Sequence, residues 1–223
     1  MSDIAMSDTA AARFHMVEGQ IRPNKVTDEH LVQALLDMPR ELFVPKSARG
    51  IAYVDQTLPV GQGRFLLEPM LFGRLLQEAV IEPTDVVLDV GCATGYSTAI
   101  LSRLAATVVG IESDSDLVQQ ATQALAAVGA DNALAVEADL PAGYPAQGPY
   151  DVIVLNGAVA EVPEALLSQL APGGRLIGVV LGARGLGEVR LYQRFGDTVS
   201  SRALFESQPP VLPGFEPKPV FQF

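Results

Sequence analysis

Val86-Val-Leu-Asp-Val-Gly-Cys-Ala-Thr-Gly-Tyr-Ser-Thr98 is the stretch whose reading decides the fold. Its first residues are apolar around a single aspartate and read as a buried strand. Gly91 and Gly95 then make a tight turn, and helix-forming residues follow at once. Strand, glycine turn and helix N-terminus together present outward-facing N–H groups that a ligand can approach closely. Farther on, Thr107-Val-Val-Gly-Ile-Glu112 is a second apolar run ending in a carboxylate. That pairing points to an α/β domain that binds a nucleoside.

The glycine spacing narrows the ligand. A dinucleotide site uses G-x-G-x-x-G, but here Ala93 stands at the middle glycine and Tyr96 at the third. A smaller ligand without a diphosphate, such as S-adenosylmethionine, suits Gly91, Cys92, Ala93 and Gly95 better. Glu112 can accept hydrogen bonds from both ribose hydroxyls. Asp139, closing the run Ala133–Ala138 and followed by Leu140, can accept from an adenine amino group; a turn cap is its plainer role. Asp89 lies within an apolar run, where an unpaired carboxylate is costly. It needs a donor, either a ligand amino group or nearby backbone N–H groups.

Outward from this centre the chain alternates in the α/β manner. Strands are expected near 86–90, 107–112, 133–137, 151–155 and 174–181, and helices near 95–104, 115–128 and 163–171. Short apolar strands alternating with helices indicate a Rossmann-like, mostly parallel, doubly wound sheet covered on both faces. Glu188–Phe195 alternates polar and apolar, and 201–206 can pair with it as an antiparallel edge. Upstream, residues 12–22 and 28–38 read as helices, the second capped by Thr27 or Asp28 and ended by Pro39. Residues 1–11 read as frayed and 39–68 as irregular loop. Pro69 then opens another helix. The expected organisation is an N-terminal helical and loop-rich elaboration (1–68), a central domain (69–208) and an extended proline-rich tail (209–223).

Composition excludes other classes. The 223 residues carry 26 acids against 15 bases, a net charge of −11, which is unsuited to phosphate neutralisation on nucleic acid. His15 and His30 stand alone without metal-ligand spacing, so no metal is expected. The lone Cys92 fits a reducing compartment and reads as a small turn residue rather than a nucleophile. No apolar run approaches the ~18 residues of a membrane span. The opening residues do not form a secretory signal, and a cytoplasmic protein is expected.

Several blocks carry a resemblance: Arg22-Pro23, Met38-Pro-Arg-Glu-Leu-Phe-Val-Pro45, Ala52-Tyr-Val-Asp55, Leu58-Pro-Val-Gly-Gln-Gly63, Val87–Tyr96, Pro149-Tyr-Asp-Val-Ile-Val154 and Leu170-Ala-Pro-Gly-Gly-Arg-Leu176. Over roughly residues 16–182 the chain resembles the protein-L-isoaspartate O-methyltransferases. The resemblance implies S-adenosylmethionine as cofactor and the carboxylate of isoaspartyl residues in damaged proteins as methyl acceptor. Gly91, Ala93 and Gly95 would line its methionine and ribose part, Glu112 the ribose, and Asp139 with Leu140 the adenine.

One departure stands out. After Gly-x-Gly the family usually reads Gln-Thr-Ile-Ser, whereas this chain reads Arg64-Phe-Leu-Leu67. Leu67 thus occupies the position of the hydroxyl near the transferring methyl, and no catalytic side chain is secure. Arg64 and Asn156 are the candidate acceptor contacts; a solvated arginine is the plainer reading of Arg64. Methyl transfer to an isoaspartyl carboxylate is the leading reading. A methyltransferase for another carboxylate, small molecule or peptide, and a catalytically silent cofactor-binding protein, are the alternatives. Oligomeric state is not legible.

Overall fold

The computed structural model describes residues 8–182 and 186–217. Helix α1 (Asp8–Met16) runs into a wider turn over Val17–Ile21, and α2 covers Glu29–Asp37. The Asp28 carboxylate caps α2 by accepting from the Leu31 N–H at 2.9 Å. The helical chain therefore begins at Asp8, inside the stretch expected to fray; residues 1–7 lie outside the described residues. Between 39 and 68, expected to be irregular, the chain builds short 3₁₀ turns and a hairpin, β1 (Leu58–Gly61) with β2 (Arg64–Leu66). Pro59 and the glycines around the turn hide these strands from periodicity. Helix α3 (Pro69–Ala79) follows with Pro69 in its first turn.

The sheet is assembled from β3 (Val86–Val90), β4 (Thr107–Glu112), β5 (Ala133–Glu137), β6 (Tyr150–Val159), β7 (Leu170–Leu181), β8 (Gly187–Phe195) and β9 (Thr198–Glu206). Their order is β5-β4-β3-β6-β7-β8-β9, parallel from β5 to β7 and antiparallel at β8 and β9. Between β3 and β4 runs α4 (Tyr96–Leu101), and between β4 and β5 runs α5 (Ser115–Ala127). The α/β class and the antiparallel edge agree with the expectation. Two elements differ. Strand β6 runs on to Val159 past a register shift, through Asn156-Gly-Ala and beyond its expected end at 155. The helix expected over 163–171 is the single turn α6 (Glu164–Leu167), because Leu170 already pairs with Tyr150 in β7.

Side-chain alternation along the strands gives the sheet two apolar faces. Val87, Val108, Val152 and Ile177 pack with residues of α2 and α3 such as Leu35 and Leu75, so the N-terminal segment shares a core with the sheet. Leu88, Val109, Ile153 and Leu176 form the opposite face with Leu140, Leu166, Leu212 and Phe215. Pro213 and its neighbours preclude regular structure in the tail. It still pairs with β6: the Ala158 N–H donates to the Pro210 carbonyl and the Leu212 N–H to the Ala158 carbonyl. Pro219 lies outside the described residues.

Candidate functional site

In open α/β sheets, ligands bind beyond the carboxyl ends of the strands, where strand order reverses. Here the reversal lies between β3 and β6, and the glycine turn sits at the end of β3. Gly91, Ala93 and Gly95 all take positive φ, +75°, +48° and +91°. The Gly91 and Cys92 N–H groups donate to the Ile111 carbonyl, tying the turn to β4. Gly95 serves helix packing: a Cβ there would lie 3.1 Å from the Ala121 Cβ and 3.2 Å from its Cα.

Asp89 is completely buried, and both oxygens of its carboxylate have side-chain donors. It accepts from the Ser97 hydroxyl at 2.7 Å, the Thr98 hydroxyl at 2.6 Å and the Asn156 side-chain amide. The donors it meets are thus side chains of α4 and β6, where the sequence suggested a ligand amino group or backbone N–H groups. Burial raises its pKa, and these three donors oppose the rise. Asn156, a candidate acceptor contact, is 7% exposed and also donates to the Val90 carbonyl. It bridges β6 to β3.

Glu112, at the end of β4, is also completely buried. One oxygen, Oε2, accepts from the Ala93 N–H at 2.9 Å and from Arg64 Nε at 3.0 Å. The other, Oε1, accepts from the Ser113 N–H at 2.8 Å and the Ser113 hydroxyl at 3.2 Å. Arg64 is only 4% exposed, and its Nη2 donates to the Gly91 carbonyl at 2.9 Å. Sequence placed Arg64 on the acceptor side; the structure seats it on the acid expected to hold a ribose. A Cβ on Gly91 would run into this guanidinium and into Leu212 Cδ2 at 2.8 Å.

The space left at the turn is small. A cavity of about 10 Å³, lined by Leu67, Gly91, Tyr96 and Asn156 among others, is room for a single water at most. Asp139 lies exposed just past β5, its carbonyl accepting from the Ala142 N–H, while Leu140 is buried beneath the sheet. Cys92 is buried, and desolvation with the nearby Asp89 and Glu112 charges holds its thiol well above its ordinary pKa. It is therefore protonated and inert at neutral pH. Iodoacetamide at pH 8 is expected to spare Cys92 in the folded protein and to label it in denaturant, as intact mass would read. Labelling of the folded chain would place the thiol at the surface. Among the described residues no group of three or more His, Cys, Asp and Glu is placed to hold a metal.

Arg40 carries a role that sequence did not expose. It is 1% exposed, donates to the Ala52 carbonyl at 2.8 Å and the Leu67 carbonyl at 2.6 Å, and lies over the Tyr96 ring at 4.6 Å. It thereby fixes the backbone at the position where the resemblance expects a hydroxyl. Its place in the block Met38-Pro-Arg-Glu-Leu-Phe-Val-Pro45 was the sequence signal that could have singled it out.

This frame can be set beside known proteins. The family model described as protein-L-isoaspartate(D-aspartate) O-methyltransferase matches residues 12–204. The chain belongs to that family. Among its methyltransferase relatives, one from Methanoculleus marisnigri is 38% identical over 184 residues, spanning 82% of this chain and 84% of the relative. Another, from Methylorubrum extorquens, is 37% identical over 195 residues, 87% of this chain and 85% of the relative. Both carry the name protein-L-isoaspartate O-methyltransferase. A solved structure of that name superposes with a TM-score of 0.80 at 26% identity, covering 91% of this chain and 66% of the other. A Plasmodium falciparum beta-aspartate methyltransferase (PCMT) solved with S-adenosyl-L-homocysteine shares the fold, with a TM-score of 0.75 at 19% identity, over 93% of this chain and 99% of that one.

The family's cofactor fits this frame in kind. Glu112 supplies a carboxylate at the strand end, beside a turn whose Ala93 N–H orients it. It does not fit in volume with the β1–β2 hairpin as it lies, because Arg64 and Leu212 stand against Gly91.

Proposed function

We propose that this chain is an S-adenosylmethionine-dependent O-methyltransferase that esterifies the carboxylate of L-isoaspartyl residues in damaged proteins, beginning their repair. The observation that supports it most is Glu112, buried at the end of β4 and oriented by the glycine turn, within a family match over residues 12–204. When bound, the cofactor supplies a methyl group activated by a sulfonium. The acceptor carboxylate is ionised at neutral pH, so the chain's residues need to align and exclude water rather than abstract a proton. Asp89, tied to Ser97, Thr98 and Asn156, is placed to stiffen the turn that does so. Among the described residues no helix is long and apolar enough to cross a membrane. With the acidic surface and a single thiol, the reading carries a cytoplasmic location.

A second reading rests on a different observation. Phe65 and Leu67 stand where the family usually has threonine and serine, and this favours another carboxylate acceptor or a silent cofactor-binding role. Transfer of labelled methyl to an isoaspartyl peptide, beside calorimetric titration with S-adenosylhomocysteine, separates the two. Base-labile methyl incorporation is the expected result. Cofactor binding without incorporation supports the second reading, and no binding overturns both.

A further inference from the structure

We propose that Arg64 sets the cofactor affinity of this chain by occupying Glu112 itself, so that the cofactor binds only by exchange with the Arg64 guanidinium. This inference rests on the cofactor reading above.

A carboxylate offers about four lone-pair sites. Glu112 already accepts from four donors: Arg64 Nε, the Ala93 N–H, the Ser113 N–H and the Ser113 hydroxyl. Two ribose hydroxyls therefore require donors to leave. The Ala93 and Ser113 N–H groups belong to the turn and to the strand end and cannot withdraw without unmaking them. Arg64 comes from a separate two-stranded hairpin, outside the main sheet. It can leave Oε2, and the Ser113 hydroxyl can rotate away from Oε1, which gives the two positions that two ribose hydroxyls need.

The volume leads to the same side chain. Ligand pockets hold on the order of 300–1,000 Å³, against a cavity of about 10 Å³ here. The atoms crowding Gly91 are the Arg64 guanidinium and the Leu212 methyl. Withdrawal of the guanidinium removes the nearest atoms from the face of Gly91 and opens an acceptor position on Oε2 of Glu112 in one movement. The hairpin is suited to this movement. Its strands are three and four residues long, a size with marginal stability on its own. Its exposed turn, Gly61-Gln62-Gly63, has positive φ throughout. Beyond it Leu66 and Leu67 are buried, and Arg40 holds the Leu67 carbonyl, so motion is confined to the tip and to Arg64.

A site that must first be vacated binds with an affinity reduced by its vacated fraction. S-adenosylhomocysteine is to be titrated calorimetrically into the wild-type chain and into Arg64→Gln, which keeps an amide near Glu112 but removes the charge and the fork. The expected result is at least tenfold tighter binding by Arg64→Gln. Equal or weaker binding by a folded Arg64→Gln would overturn the proposal while leaving the cofactor reading intact. Absence of binding by both chains overturns the cofactor reading, and the proposal with it. Hydrogen exchange on the wild type decides independently of the variant's folding. On saturation with S-adenosylhomocysteine, residues 61–64 are expected to lose protection; a gain there would show that the ligand is held by the closed hairpin and overturn the exchange.

Discussion

Glu112→Gln is expected to lower the stability of the folded chain by about 3–5 kcal/mol, the cost of leaving one member of a buried ion pair without its partner. The pair is buried on both sides, with Arg64 at 4% and Glu112 at 0% exposure. Loss of the carboxylate charge leaves the guanidinium with the Gly91 carbonyl and a neutral amide, in a region closed to water. Arg64→Gln is expected to cost less, about 1–3 kcal/mol, the range for weakening one buried hydrogen-bonding partner. The asymmetry follows from the donor count, because Glu112 without Arg64 still accepts from Ala93 and Ser113. The double variant should recover most of the Glu112→Gln loss. Equilibrium denaturation of the four proteins gives the coupling directly. A Glu112→Gln cost below about 1 kcal/mol would mean that the pair is solvated in solution, since exposed pairs are worth about that much. With domain stabilities of about 5–15 kcal/mol, the predicted loss is a large share of the whole.

Sequence periodicity reached those parts of the fold where a single physical signal dominates. Strands β3, β4 and β5 are short apolar runs bounded by turn residues, and their limits match 86–90, 107–112 and 133–137. The glycine turn was legible for the same reason, since no other residue type makes a tight turn so cheaply. The reading failed where two signals compete. Asn156-Gly-Ala interrupts the apolar run, yet β6 continues through it because Ala158 and Val159 pair with Val179 and Val180 of β7, and the tail adds a bridge at Ala158 from the other side. Pro59 argues against a strand, yet an edge position in a hairpin tolerates it. At the site, the carboxylates were legible as acids needing donors, but the donors were not. Arg64 and Glu112 are 48 residues apart in the chain, and no local pattern encodes their meeting. Asn156 and Asp89 are 67 apart; one was read as an acceptor contact and the other as an acid in need of a ligand or backbone donor, and no local pattern showed that they meet each other.

Leu67→Ser is expected to raise kcat for methylation of an isoaspartyl peptide by about 100-fold, the size of effect that a single well-placed polar group has at a reacting centre. Leu67 is 5% exposed, lines the small cavity with Gly91, Tyr96 and Asn156, and has its carbonyl fixed by Arg40. A hydroxyl introduced there would start from an anchored backbone, so little of its effect should be lost to disorder. The gain should fall on kcat rather than KM if the hydroxyl acts at the methyl-transfer step, as its family position near the transferring methyl implies. The same substitution removes a buried isobutyl group, which costs about 2–5 kcal/mol in comparable truncations. Rates must therefore be normalised to folded enzyme, counted by circular dichroism, and measured at saturating cofactor so that Arg64 does not limit them. Phe65→Thr added to Leu67→Ser restores both hydroxyl positions of the family and tests whether they act together. If folded Leu67→Ser binds cofactor and still leaves the peptide unmethylated, the acceptor corner from Arg64 to Leu67 has been rebuilt for a different carboxylate. The next substrates to offer would then be free carboxylic acids small enough to reach the transferring methyl beside Leu67 with the cofactor in place.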